Sequence, residues 1–374
     1  MSFVYAKKIG NQIAVYADTK ITFDPDRVDT ILSRDAQQAI HEFGLIKNII
    51  ISKNYCVSFA GNNIIFANEF LSKIIHSTLE ELITVALEIN QRDTINGAEF
   101  IICYADHKQS TIVEIKDGRA KNVPVAWIGS YSAFNYFQSI NLGNTTAQVK
   151  SNNPNGVEIS FGVQASSMEE KEYNRLFDLF HKTIFDSSDN EVGGFVIPVW
   201  FDYSLNQFVY KEYMKSYSVL QIRQGTAHLP MYQDATSGTF SVLFYRSTNI
   251  VGIYLPQNNL GIIYNHFRKS LFDSEIKQTS EFHFPNTTKI SQLDFYVQTS
   301  ALGMSPPGFL GYMSEDIEEY LKRVWHYKEK PTLAILYIDK VIEIIQTQHR
   351  EEHRLDELLN IRNNIAAGLK TTNK

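Results

Sequence analysis

Ser2 carries the most pointed chemistry in the chain. A serine hydroxyl is a weak nucleophile until a neighbouring base takes its proton, and an N-terminal amine can serve as that base. Initiator methionine is normally trimmed when a small residue follows. Removal of Met1 is therefore expected to leave Ser2 with a free α-amine beside its hydroxyl. Such an amine titrates near roughly 7.7–8.0, so at working pH a useful fraction is neutral and able to accept a proton. Ser2 is also an ordinary start residue in many proteins. The elements around it must separate the two readings.

Those elements begin at once. Ser2–Lys8 and Gln12–Lys20 are rich in β-branched and aromatic residues and flank Gly10-Asn11, the pattern of a β-hairpin with a tight turn. A second hairpin is expected over Leu45–Asn62, with Lys47 near its head, a Lys53-Asn54 turn and Phe59-Ala60-Gly61 at its end. Helical spacing then runs from Ile64 to Ile89, with a break near Ser77-Thr78 where Thr78 and Glu81 resemble a capping box. Alternating runs follow at Ala98–Ala105 and Gln109–Ile115 around Asp106-His107-Lys108, and a strand over Val125–Tyr131 contains Gly129-Ser130. The aromatics from Tyr131 to Phe137 read as the apolar face of a helix after Ser132. A helix over Met168–Phe185 opens at Ser166-Ser167 with acidic residues in its first turns. Strands Gly194–Phe201 and Asn206–Glu212 close the block. This order argues for an α+β fold, two sheets face to face with helices outside.

The pattern resembles the β-subunits of the proteasome and their bacterial relatives, within the N-terminal nucleophile (Ntn) hydrolases. There, a threonine opens the first strand, an Ala-Asp-Thr-Arg-like run closes the second, and a lysine precedes a hairpin ending in Ala-Gly. Ser2, Asp18, Lys47 and Gly61 fall on those positions, with Ala17-Asp18-Thr19-Lys20 as the closing run. Ser130 falls on the serine that supports the nucleophile, with Tyr131 where the family has a second glycine. Counting back from Gly193 places Asp189 on the family's later aspartate, with Asp186 as its rival and Val192 where a serine usually stands. The resemblance covers roughly residues 2–215. It implies a four-layer αββα sandwich and a peptidase or amidase. In that scheme the Ser2 amine acts as base and Lys47 lowers its proton affinity. Asp18 holds Lys47, Gly61 N–H faces the oxyanion, and Ser130 and Asp189 orient the amine. The competing reading is an inactive relative that keeps the fold as an assembly or interaction scaffold, which Tyr131 and Val192 favour.

The connection over 21–46 is longer than the family's and reads as an inserted helix or lid. It contains Arg34, which sequence counting alone could confuse with Lys47 as the active-site cation. Beyond the resemblance, 216–312 reads as a strand-rich extension and 313–374 as a helical, charged region with a break near Lys330-Pro331. Capping a pocket, binding a partner protein and building an oligomer interface are all open to this extension.

At 374 residues, with 44% hydrophobic and 13% aromatic content, the chain can build a large core. A net charge of −6 gives no argument for nucleic-acid binding. No signal peptide or membrane-length apolar run is read, so a cytoplasmic protein is expected, with Cys56 and Cys103 as buried free thiols. A peptide or protein substrate and a homo-oligomer are implied by the resemblance, and no cofactor or metal is. His349–His353 has the spacing of a zinc-peptidase motif, but a solvated charged helix is the simpler reading.

Overall fold

The computed structural model describes residues 2–21, 44–61, 64–74, 78–92, 94, 97–143, 167–186, 192–218, 239–247, 250–265, 286–301, 303–304, 331–348 and 352–372. Within them the chain is a mixed α+β protein with three antiparallel five-stranded sheets and several helices.

The first sheet is nucleated by the opening hairpin. Strands β1 (Phe3–Ile9) and β2 (Gln12–Asp18) pair from Ile9↔Gln12 to Val4↔Ala17 across Gly10, whose φ of +60° suits the tight turn. The second sheet carries β3 (Asn48–Ser52), β4 (Tyr55–Gly61), β5 (Ala98–Ala105), β6 (Ser110–Lys116) and β7 (Arg119–Asn122) in sequential order. The first sheet is completed by β8 (Val125–Gly129), β9 (Val196–Asp202) and β10 (Gln207–Tyr210), giving the order β10-β9-β2-β1-β8. The third comprises β11 (Met214–Ser218), β12 (Thr239–Arg246), β13 (Ile250–Leu255), β14 (Leu260–Asn265) and β15 (Asn286–Lys289).

Strand alternation sorts the side chains into layers. Val4, Ala6, Val15 and Ala17 of the first sheet join one apolar cluster with Cys56, Ala60, Ile101 and Cys103 of the second. The alternate residues Phe3, Tyr5 and Tyr16 cluster instead with Phe137 of helix α3 (Tyr131–Gly143) and Tyr173 and Phe180 of α4 (Met168–Asp186). Phe3 stacks on Phe180 with ring centroids 4.9 Å apart. On the second sheet, Val57, Phe59 and Phe100 meet Phe70 of α1 (Ile64–Lys73) and Leu82 of α2 (Leu79–Arg92). The capping box of α2 is made. Thr78 N–H donates to Glu81 Oε2 at 2.7 Å, and Glu81 N–H donates to Thr78 Oγ1 at 3.3 Å.

The third sheet is continuous with this core. Phe244, Val251, Ile253 and Ile262 belong to the same cluster as the facing residues of the first two sheets. Its other residues, Tyr245 and Tyr254, pack on Phe295 of α5 (Gln292–Ala301). Helix α6 (Pro331–Gln348) starts at the expected break, with proline in its first turn, and shares an apolar cluster with α7 (Leu355–Thr372). The inserted 22–43 segment, which contains Arg34, and residues 305–330 lie outside the described residues.

Candidate active site

The site grows from the end of the opening hairpin. β2 carries Asp18 to a position fully shielded from solvent, where its carboxylate collects three donors. Phe3 N–H donates to Oδ1 at 2.9 Å, Gly193 N–H to Oδ2 at 3.1 Å, and the Lys47 ammonium to Oδ1 at 2.6 Å. Lys47 leads into β3 and is 1% exposed; it also donates to the Lys20 carbonyl at 2.5 Å. The Phe3 amide belongs to the peptide unit that leaves Ser2, so one carboxylate oxygen joins the lysine to the backbone at the candidate nucleophile.

Burial pushes the Lys47 ammonium below the ordinary lysine range. The Asp18 carboxylate opposes that shift, and the charge of Lys20 adds to it. Asp18 is driven the other way by its burial, against the Lys47 ammonium and the amides of Phe3 and Gly193. Three donors on one carboxylate favour its ionised form, so the arrangement is an ion pair with a cation that gives up its proton more readily than a surface lysine.

The surroundings of the pair are set by backbone rather than by charged side chains. Thr19 is wholly buried and its Oγ1 accepts Phe195 N–H at 2.9 Å, while Lys20 N–H donates to the Gly193 carbonyl at 3.1 Å. Gly194 has φ +76°, and a Cβ there would lie 2.3 Å from Thr19 Oγ1, so only glycine allows this approach. Tyr264 of the third sheet shares a hydrogen bond with Thr19, which brings that sheet to within one residue of Asp18.

Ser2 is 5% exposed. Its carbonyl accepts Ser130 N–H at 2.6 Å, and Gly129 pairs with Phe3 across β8 and β1. The Ser130 hydroxyl accepts Ala133 N–H at 3.2 Å at the start of α3 and lies 3.1 Å from Ser132 Oγ. Gly129 has φ +92°, and a Cβ on it would sit 1.9 Å from the Ser2 carbonyl oxygen and 3.1 Å from the Ala60 Cβ. Gly61 ends β4 opposite Ala98, one residue beyond that Ala60 contact.

Hydrogen bonds therefore join Lys47 to Asp18 and Ser130 to Ser2, Asp18 is tied to the Ser2 side of the site through the Phe3 amide, and Gly61 reaches the group through its neighbour Ala60. Asp189 lies outside the described residues, as does Met1. Asp186 closes α4, and Val192 is buried in the apolar cluster of Phe3 and Phe180. Reading the sequence alone missed Thr19, the Lys20 carbonyl and the amides of Phe3 and Gly193. Backbone groups leave no signature in residue type, although the Gly193-Gly194 pair marked the place where one would be needed. Among the described residues no group of three or more His, Cys, Asp or Glu side chains could hold a metal ion. His349–Glu351 lie outside them, and His353 sits in a short 3-10 turn. Within them, no helix is long and apolar enough to cross a membrane.

No protein-family model matches the chain, and no curated protein matches it in sequence.

Proposed function

We propose that the chain is a proteasome-like Ntn hydrolase, a peptidase or amidase on a four-layer αββα sandwich, with Ser2 as its nucleophile once Met1 is removed. The observation that carries this reading is the buried Lys47–Asp18 pair, fastened by the Phe3 amide to the backbone at Ser2. A buried ion pair is weak evidence for stability, because desolvating both charges offsets much of their attraction. Its placement one peptide from an N-terminal serine gives it a chemical use.

In this mechanism the Ser2 amine takes the hydroxyl proton as Oγ attacks a substrate amide carbonyl. In this reading the positive charge of Lys47 acts on the amine and keeps it neutral near working pH. The tetrahedral oxyanion is met by the Gly61 N–H, a fixed donor of the kind worth about 2.7–4 kcal/mol. The protonated amine then donates to the leaving nitrogen, and the C–N bond breaks to leave an ester on Ser2. Water, deprotonated by the same amine, cleaves that ester and frees the acid. Ser130 holds the Ser2 carbonyl through its N–H, and Asp189 would complete the orientation of the amine. The substrate in this reading is a peptide or protein amide, and the working form is a homo-oligomer.

One observation favours the second reading, a non-catalytic scaffold. Val192 sits in the helix-side apolar cluster at the position of the family's supporting serine, where it offers no hydroxyl. Ser2→Ala separates the two. Under the hydrolase reading the variant keeps its fold by circular dichroism and loses both amide hydrolysis and labelling by a fluorophosphonate. Labelling that survives in the variant contradicts the mechanism.

A further inference from the structure

Two carboxylates cross from the second sheet to the edge strand of the first. β8 lies at the end of its sheet, where an unpaired row of N–H groups is expected. Glu114 of β6 accepts Trp127 N–H at 3.1 Å through Oε1, and Glu99 of β5 accepts Gly129 N–H at 2.8 Å through Oε2. The two amides are separated by one residue, so the carboxylates take alternate donors along that edge.

Glu99 is the one that touches the site. It stands opposite Ala60 in the β4–β5 ladder, beside Gly61↔Ala98. Its other oxygen lies 3.4 Å from the Lys116 ammonium. Lys116 in turn lies 3.6 Å above the centre of the Trp127 ring, which stacks on Phe134 of α3 at 4.1 Å. The Gly129–Ser130 corner is thus held on both sides, by the Glu99 carboxylate on its amide and by Trp127 and Phe134 flanking it in sequence. That same corner delivers Ser130 N–H to the Ser2 carbonyl at 2.6 Å.

We infer that Glu99 is a positioning residue for the candidate nucleophile, fixing the Gly129 peptide so that Ser130 N–H sets the backbone of Ser2. The inference rests on the hydrolase reading for its consequence in rate. The path from Lys116 by ion pair to Glu99, by hydrogen bond to Gly129, along the chain to Ser130 and by hydrogen bond to Ser2 stands apart from the Asp18–Lys47 pair and approaches Ser2 from the opposite sheet. Glu99 touches neither substrate nor reacting atoms; it acts by supplying an acceptor, and the charge of Lys116 keeps that acceptor in place. Burial pushes its carboxyl upward in pKa against Lys116 and the Gly129 amide.

The test uses the full chain with Glu99→Gln, Glu99→Ala and Glu99→Asp. Glutamine keeps an oxygen acceptor at the same reach, alanine removes it, and aspartate withdraws it by one methylene. Two readouts are taken, hydrogen exchange of peptides spanning 125–131 and the rate at which a fluorophosphonate labels Ser2. The expected result is faster exchange at Gly129 and Ser130 in the Ala and Asp variants, with labelling slowed about 100-fold, the order of loss that a misplacement of about 1 Å brings. Gln should restore both readouts to near wild type, which general loosening of the fold would not produce. Should the Ala variant fail to fold, the Asp–Gln comparison decides alone. Labelling unchanged in Asp, or equally slow in Gln and Asp, overturns the inference while leaving the hydrolase reading intact. A wild-type chain that takes no label sinks the hydrolase reading instead. The exchange data then decide by themselves, and a 125–131 segment indifferent to all three substitutions overturns the role of Glu99.

Discussion

Asp18 shows how one side chain organises a site. Its carboxylate receives a peptide N–H from β1, a peptide N–H from the segment before β9, and the ammonium that precedes β3. Each donor comes from a different part of the chain, so the residue fixes three segments at once. Lys47→Met keeps an unbranched side chain one heavy atom shorter and removes the charge, leaving a fully buried carboxylate with two amides and no cation. Breaking a buried pair in this way typically costs about 3–5 kcal/mol. Urea unfolding of Lys47→Met should show a loss of that order, partly recovered in the double variant with Asp18→Asn. A loss under about 1 kcal/mol, the range of surface ion pairs, would mean that the pair is not buried as described. Asp18 and Lys47 were picked out in the sequence by their place at a strand end and a hairpin head, and Ser130 by its Gly129-Ser130 segment; the structure brings Asp18 and Lys47 into contact. The amide donors that hold Asp18 were not legible, since any residue type except proline supplies an N–H and only the fold decides which amide arrives.

At the scale of elements, the opening hairpin, the capping box of α2 and helix α4 follow local rules that a sequence displays openly. Gly-Asn between two β-rich runs, Thr78 three residues before Glu81, and Ser167, whose Oγ accepts Glu170 N–H at 3.1 Å, are signals of this kind. β7 was not legible. Arg119–Asn122 is a short, wholly exposed edge strand with no apolar alternation to mark it. α4 is fastened to β1 by charge as well as by its aromatic face. Glu172 receives Lys7 at 2.7 Å and Arg175 at 2.7 Å. Hydrogen bonds from Arg175, and then Lys7, hold the Glu172 carboxyl down at about 2 against the upward push of partial burial. In the unfolded chain a glutamate titrates near about 4.3, so between these values the unfolded state binds the extra proton. The stabilisation from Glu172 is therefore complete above that upper value and is lost as pH falls toward the lower. Thermal midpoints of wild type and Glu172→Gln should differ most at neutral pH and converge on acidification. A gap that stays constant down to pH about 2 would contradict the depressed carboxyl.

At the scale of the whole molecule, the C-terminal sheet is part of the same core as the hairpins. Phe244 of β12 stacks on Tyr213 at 4.9 Å, the Tyr213 hydroxyl donates to the Val196 carbonyl at 2.9 Å, and Tyr264 bonds to Thr19 beside Asp18. Its three central strands were legible from runs such as Ile250–Leu255, whereas β11 and β15 were not, their polar residues giving no apolar alternation. The contact of the sheet with the site was not legible either, because nothing in its residues names the surface they meet. The proposed hydrolase must mature into an N-terminal serine nucleophile. The most direct measurement is the intact mass of the purified protein before and after exposure to a fluorophosphonate. The expected result is a chain lacking Met1 that gains a single adduct, located on Ser2. A chain that retains Met1 and gains no adduct would contradict it.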